Sequence, residues 1–325
     1  MNYIFGPVHS RRLGRSLGID LFPSKICNLD CVYCEVGRTI VPVYRRGVYS
    51  PTREILAEID RYCADAHKLD QVDVLTVTAK GEPTLHSDLG DILRYVKGRT
   101  DKPVAVLTNG TTLMESEVRQ ALMAADIVVP SLDAARWKSF LRVDRPAEGL
   151  ELSEIIQGLI LFSQTYAGKL WLEILLVRGM NDDPEDIEAL IAAIRRMRVD
   201  RIQLNTVVRP PAERSAQALS EERLVAIAGL LRKETALPVD LPFASTVEQA
   251  QPVDTAGTAD PKSLAGIIDE VKQMVQRRPS TAADIDRIFH LGGPEKVEQL
   301  LAPLVLSGIV RQQDHGGERY YHLAT

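Results

Sequence analysis

The sequence predicts an α/β chain of six consecutive β–α units, followed by a small unit of three helices and a hairpin. Three observations carry this. Short apolar runs rich in β-branched residues recur six times between residues 18 and 208. Each is followed by a stretch whose apolar residues have helical spacing. Past residue 262 the pattern changes to three amphipathic segments and a glycine-turned pair of short strands.

In chain order, strands are expected at 18–22, 72–78, 103–108, 127–131, 170–177 and 201–208. Helices are expected at 51–66, 87–98, 113–124, 150–166, 184–198 and 219–234. In the first helix Ile55, Ile59, Tyr62 and Cys63 share one face, which makes Cys63 a core residue. Asp183 before Pro184 reads as an N-cap with proline at the first helical position. Alternating β and α segments require a parallel sheet with right-handed crossovers. An incomplete (β/α)6 barrel fits the count, and a doubly wound open sheet fits nearly as well. In either, the active site gathers at the carboxyl ends of the strands.

Residues 243–262 have no periodicity and read as a linker or lid between a domain at 1–242 and a second at 263–325. In the second, one helix runs from Leu264 to Gln276, and another opens at Ser280 or Thr281 and runs through Phe289. A third follows Gly292-Gly293-Pro294 and carries Val297, Leu300, Leu301, Leu304 and Val305. Ile309-Val310-Arg311 and Arg319-Tyr320-Tyr321 flank Gly316-Gly317, a hairpin signal. Three helices and a hairpin make a winged helix-turn-helix domain.

Composition narrows the function. A chain of 325 residues with 45% hydrophobic and 26% charged residues is an ordinary globular protein with room for two domains. It has no apolar run of about eighteen residues, and Met1–Arg15 lacks a signal-peptide stretch. The expected location is the cytoplasm, with no membrane partner. A net charge of −5 argues against a broadly cationic nucleic-acid binder, although Arg11, Arg12 and Arg15 form a local basic patch.

Three of the four cysteines lie within eight residues, in Cys27-Asn-Leu-Asp-Cys31-Val-Tyr-Cys34, directly after the first predicted strand. Clustered thiols hold metal rather than forming a disulfide framework. Thiolates are the ligands of iron–sulfur clusters. Three thiols leave one iron of a four-iron cubane without a protein ligand, so a chelating substrate can bind there. A structural zinc site would need a fourth ligand, and His9, Cys63 and His67 are remote in sequence. A two-cluster ferredoxin would need more cysteines.

A C-x3-C-x-aromatic-C motif after a first strand, with Tyr33 at the aromatic position, resembles the signature of the radical S-adenosylmethionine (SAM) superfamily. The likeness extends over residues 1 to 240. Ala79-Lys80-Gly81-Glu82-Pro83 resembles that family's Gly-Gly-Glu motif, with Lys80 replacing its first glycine. Thr108-Asn109-Gly110, Ser131-Leu132-Asp133 and Gly179-Met180-Asn181-Asp182 stand at successive strand ends, as in many members. Gly6-Pro7-Val8, Ser10–Gly14, Glu35–Thr39 and Leu204–Pro211 are similar to a subfamily loosely related to tRNA wybutosine-synthesising radical SAM proteins.

The resemblance implies a partial (β/α)6 barrel of the TIM type. It implies a [4Fe–4S] cluster on Cys27, Cys31 and Cys34, and SAM held by Tyr33, Gly81, Glu82, Asn109, Ser131, Asp133 and Arg178. It implies an enzyme that cleaves SAM reductively and abstracts hydrogen from a peptide, nucleotide, tRNA or small metabolite, with flavodoxin or ferredoxin as reductant. Plain turn or capping roles compete for Asn109, Ser131 and Asp133, and a surface or capping role is expected for His86. Arg11, Arg12, Arg142, Arg145, Asn205 and Arg209 are expected to line the substrate cavity; arginine's planar fork suits carboxylate and phosphate. Salt bridges with Asp144, Asp182 and Glu213 are the competing role for the arginines.

The C-terminal unit reads as a cover or a substrate-recognition module rather than a DNA reader. Residues 262–325 hold eight Lys/Arg and eight Asp/Glu, and phosphate contacts need cations. A redox-sensing regulator, whose cluster controls DNA binding by that unit, is the competing function.

Overall fold

In a computed structural model, residues 3–10, 13–243 and 264–324 are described. Arg11, Arg12 and nearly all of the expected linker lie outside them. An antiparallel hairpin, β1 (Ile4–Ser10) and β2 (Gly14–Asp20), opens the chain. Next come α1 (Thr52–Cys63), α2 (Ala66–Asp70), β3 (Val74–Thr78), α3 (Leu89–Arg99), β4 (Val104–Thr108), α4 (Ser116–Leu122) and β5 (Ile127–Pro130). Then follow α5 (Trp137–Val143), α6 (Leu152–Thr165), β6 (Lys169–Leu176), α7 (Pro184–Ile194), β7 (Arg201–Thr206), α8 (Glu221–Thr235) and β8 (Val239–Asp240).

These eight strands form one sheet in sequential order, parallel from β2 to β8. All six predicted strands are present as β2 to β7, and all six predicted helices as α1, α3, α4, α6, α7 and α8. The order never reverses, which excludes the doubly wound alternative, where strand order turns back at a switch point. Periodicity does not reveal β1, β8, α2 and α5. These are short, or, in the case of β1, broken by Gly6-Pro7, so periodicity carries little signal there.

Alternate strand residues feed two apolar layers, as a period of two dictates. Leu75, Val77, Val104 and Val106 join the large core beneath the helices. Val74, Ala105, Ile127 and Val129 fill the opposite face. Towards the carboxyl ends that inner face turns polar: Ser16 bonds Thr76 at 2.7 Å, and Asn205 donates to Glu173. Helix starts follow the expected chemistry. Asp183 caps α7 by accepting from the Asp186 amide at 2.8 Å, with Pro184 behind it. Ile55, Ile59 and Tyr62 are buried as predicted, and Cys63 packs against the same core.

Residues 264–324 comprise α9 (Leu264–Arg277), β9 (Ser280–Thr281), α10 (Ala282–Phe289), α11 (Pro294–Leu306), β10 (Val310–His315) and β11 (Glu318–Leu323). They enclose their own small core around Val271, Ile285, Val297, Leu301 and Tyr321. Thr281 and Asp284 form a capping box at the start of α10. Gly316 and Gly317, both at positive φ, join β10 to β11 in the two-residue turn that the glycine pair predicted.

This unit sits on the carboxyl ends of the large sheet. Tyr320 donates its hydroxyl to the Val208 carbonyl at 3.0 Å, just past β7. Arg277 reaches Asp20, at the end of β2, at 3.4 Å, and lies over the Phe5 ring.

Candidate functional site

The segment between β2 and α1 lies across the strand ends and is tied to several of them. Ile26 donates to the Lys80 carbonyl at 3.0 Å and accepts from the Glu82 amide at 2.9 Å, past the end of β3. The Asp30 amide bonds Asp144 O at 3.0 Å and Val32 bonds Val143 at 2.9 Å, past β5. The Glu213 amide, past β7, donates to Val32 O at 2.9 Å. Gly81 makes the first tie possible: a Cβ there would stand 1.7 Å from the Ile26 carbonyl oxygen. That requirement accounts for the glycine before Glu82.

Cys27 is buried, and Cys31 and Cys34 are half-buried. Burial pushes the Cys27 thiol up to about 12 and the Cys31 thiol well above its ordinary value, with Asp144 raising Cys31 further. Without a cation these thiols are neutral; a bound metal deprotonates them. The Cys31 thiol donates to Asp144 Oδ1 at 3.6 Å, and Lys25 Nζ approaches Cys34 Sγ to 3.1 Å. The Leu29 amide and Asn109 Nδ2 point at Cys27 Sγ, from 3.5 and 3.8 Å. Donors aimed at sulfur are what a thiolate–iron centre requires. Among the described residues no three His, Cys, Asp or Glu side chains converge closely enough to hold a single ion. Three thiols with donors aimed at sulfur are the ligand chemistry of an iron–sulfur cluster, so the donor set fits one. Cys63 lies in α1 against the core and is not part of this loop.

Glu82 is 1% exposed. Its Oε1 accepts from the Thr84 amide at 3.0 Å, the Thr84 hydroxyl at 2.6 Å and the Thr108 hydroxyl at 2.7 Å. Its Oε2 accepts the Asn109 amide at 2.5 Å. Burial raises its pKa, and these donors oppose the rise. The carboxylate thereby locks the end of β3 to the end of β4. Asn109 continues the link: its Nδ2 donates to Asn28 Oδ1 at 2.9 Å, inside the cysteine motif.

Tyr33, Asn109, Ser131, Asp133 and Asp144 line one cavity beneath the cysteine loop. Tyr33 donates its hydroxyl to Asp133 Oδ2, and Asp133 Oδ1 accepts the Leu175 amide at 2.7 Å. Burial lifts the Asp133 carboxyl to about 7, aided by the charge of Glu173. Asp144 is lifted well above the ordinary range by burial and by Asp133. Burial thus favours the protonated forms of these two carboxyls, of the Cys31 thiol and of the Tyr33 phenol when no cation is bound.

The predicted cavity arginines are divided. Arg145 forks onto Glu213, which also binds Arg38 at 2.6 Å. Arg142 donates to the Met180 carbonyl. Arg209 bridges Glu35 of the cysteine loop, at 3.6 Å, to Asp284 of α10, at 3.7 Å. Arg178 is exposed, Asn205 is engaged by Glu173, and Arg11 and Arg12 lie outside the described residues. Lys25, Asn28 and Thr84 were not singled out from the sequence, although Lys25 and Asn28 lie beside or within the motif; Thr108 was named only within Thr108-Asn109-Gly110, and Asp144, expected as a salt-bridge partner of the arginines, instead accepts from Cys31. His86 is buried, not on the surface: its Nδ1 accepts the Asp88 amide at 3.2 Å, so its Nε2–H donates to Ser50 O at 3.1 Å.

A singly wound α/β sheet carries a loop of three thiols across the carboxyl ends of its strands, the place where α/β enzymes build their active sites. The radical SAM superfamily matches residues 21–194. The chain belongs to that superfamily and is an enzyme.

A UPF0026 protein of Helicobacter pylori is 35% identical over 300 residues, covering 92% of this chain and 91% of that protein. A protein named GTPase Obg from Brachyspira hyodysenteriae is 31% identical over 318 residues; the chain spans only 45% of its length. In solved structures the fold is shared with Streptococcus suis SuiB bound to S-adenosylmethionine. The TM-score is 0.51 and the identity 16%, over 69% of this chain and 51% of that one. It is shared as well with a radical SAM methyltransferase of Sphaerobacter thermophilus, at a TM-score of 0.52 and 15% identity, over 70% and 66% of the two chains.

Proposed function

We propose that Cys27, Cys31 and Cys34 hold a [4Fe–4S] cluster with one iron open to SAM, and that the chain abstracts hydrogen from a peptide, nucleotide or small metabolite. The observation that carries this is a loop of three thiols, stitched across the strand ends, with sulfur-directed donors and no fourth cysteine in it. A cluster held by Cys27, Cys31 and Cys34 would supply the single electron for reductive cleavage of SAM. Everything else is the work of side chains.

Glu82 holds the β3 and β4 ends in register, so that Gly81 and Asn109 face the cysteine loop. Asn109, Ser131 and Asp133 offer hydrogen bonds to SAM, and Tyr33 shapes the cavity wall. Arg178, exposed past β6, is the arginine available to a carboxylate. The partial likeness to the GTP 3′,8-cyclase of Lactiplantibacillus plantarum, 28% identical over 160 residues, keeps nucleotides among the substrates. A flavodoxin or ferredoxin serves as reductant. No helix among the described residues is long and apolar enough to cross a membrane, and a cytoplasmic location remains part of the proposal.

The sheet is the partial barrel expected of the superfamily, and the C-terminal unit is a winged helix acting as a cover. Its wing residue Tyr320 and the Asp284 cap of α10 already grip the barrel, which favours covering over DNA reading.

Anaerobic reconstitution tests the proposal. About four irons per chain, with 5′-deoxyadenosine released on adding SAM and dithionite, supports it; Cys31→Ala should abolish both. One zinc per chain, or DNA retardation without SAM cleavage, refutes it.

A further inference from the structure

We propose that the C-terminal unit braces the thiol loop from both ends, with Arg277 and Arg209 as the positioning residues, so that seating the unit and placing the thiols are one coupled event. What this means for iron rests on the cluster reading above. Two ion bridges cross from the unit to the large sheet, and they arrive at opposite ends of the Cys27–Cys34 motif.

The first bridge starts at Arg277, the last residue of α9. Its side chain is 9% exposed and lies over the Phe5 ring at 4.7 Å, with Nε 3.4 Å from Asp20 Oδ2. Asp20 is 1% exposed, and its Oδ1 accepts the amides of Phe22, at 3.2 Å, and Lys80, at 3.1 Å. Lys80 turns back on the same carboxylate, with Nζ 3.9 Å from Oδ2 and 3.2 Å from Pro23 O. Burial drives Asp20 towards its neutral form, and the charges of Arg277 and then Lys80 oppose this. The Lys80 carbonyl accepts the Ile26 amide at 3.0 Å, and the next residue is Cys27.

The second bridge starts at Asp284, in the capping box of α10. Arg209, past β7, stands 3.7 Å from Asp284 and 3.6 Å from Glu35, the residue after Cys34.

A buried ion pair adds little net stability over apolar packing, yet removing one partner is costly. Such a pair fixes position more than it adds strength. Here the positions fixed are those of the residues flanking Cys27 and Cys34. The unit's contacts from Tyr320 to Val208 O and from His315 to Val207 O end beside β7 and do not touch the motif. Coupling of this kind is reciprocal: an ion or cluster that orders the loop also holds the unit more firmly.

The test uses the full iron-free chain and follows alkylation of each cysteine by mass spectrometry in Arg277→Gln and Arg209→Gln. Arg277→Gln should speed Cys27 most and Arg209→Gln should speed Cys34 most, each about tenfold or more, while Cys63 in α1 keeps its rate. Loss of a nearby cation by itself slows a thiolate reaction, so a rise reports opening of the loop. Arg277→Lys, which keeps the charge but not the fork, should recover part of the loss. Val96→Ala, a buried change in α3, controls for lost stability in general and should speed no loop thiol above Cys63. After anaerobic loading, the glutamine variants should lose iron to a chelator about tenfold faster, and loading should slow hydrogen exchange in α9 and β11 of the wild type. Unchanged loop thiols, a parallel rise at Cys63, a lysine variant no better than glutamine, or a loop-selective rise in Val96→Ala overturns the brace. Arg209→Gln, at the more exposed bridge, judges it alone should Arg277→Gln not fold. A wild type that takes up no iron would instead strike the cluster reading, while the iron-free alkylation rates still decide the brace.

Discussion

Replacing Gly81 by alanine puts a methyl group where the chain has no room. The added Cβ meets the Ile26 carbonyl oxygen at 1.7 Å, its carbon at 2.4 Å and its amide nitrogen at 3.0 Å. All three are backbone atoms, so no rotamer change relieves the clash, and the φ of +154° itself suits glycine. Ile26 must withdraw, and with it go the bonds from Ile26 N to Lys80 O and from Glu82 N to Ile26 O. Two such bonds contribute about 1 kcal/mol each, and partners left unsatisfied raise the cost to about 2–4 kcal/mol. A domain with about 5–15 kcal/mol of stability survives that. The damage therefore falls on Cys27, the next residue along. The expected outcome is a folded protein with a lowered urea midpoint and substoichiometric iron after anaerobic reconstitution. Gly98→Ala, in α3 with no atom within 4 Å of its added Cβ, is the control. A Gly81→Ala protein that takes up iron like the wild type would refute the view that this contact positions the thiol loop.

Gly98→Ala should itself stabilise the protein by about 0.5–1 kcal/mol in urea denaturation, since alanine is the better helix former in an open site. Glu82→Gln turns one acceptor oxygen into a donor facing hydroxyls and amides; a loss of about 2–4 kcal/mol is expected in the same assay. His86 is held neutral by burial, and its pKa is lowered. Its unfolded form takes up a proton first, so its contribution is complete above the unfolded histidine value of about 6.5 and is lost as pH falls through the lower folded value. His86→Gln should therefore show a shallower drop in urea midpoint between pH 7.5 and pH 5 than the wild type; parallel curves would count against the assignment. Tyr320→Phe deletes the bond to Val208 O and should speed hydrogen exchange in β10 and β11 while leaving the strands of the large sheet protected, as about 1 kcal/mol of docking is lost.

The alternation of strands and helices, the thiol motif, the Asp183 cap and the Gly316-Gly317 turn were all legible in the sequence. Each is local: periodicity, spacing or a preferred backbone angle shows within a few residues. The gaps have equally physical causes. β8 and β9 are two residues long, too short for any period to register. Arg145 and Glu213 lie 68 residues apart, and Cys31 and Asp144 113 apart. No local pattern distinguishes these partners from the other acids and arginines at neighbouring strand ends, such as Asp182 and Arg142.

The order of the linear chain thus determined the layers, the loop that carries the thiols and the end of the sheet where they sit. Folding alone decided how each strand end is spent: Glu82 on four donors, Arg145 on Glu213, Arg209 between the cysteine loop and the C-terminal unit. Secondary structure follows from interactions between near neighbours, whereas the partners of buried polar groups are selected by which distant segments the folded sheet brings within about 3 Å of one another.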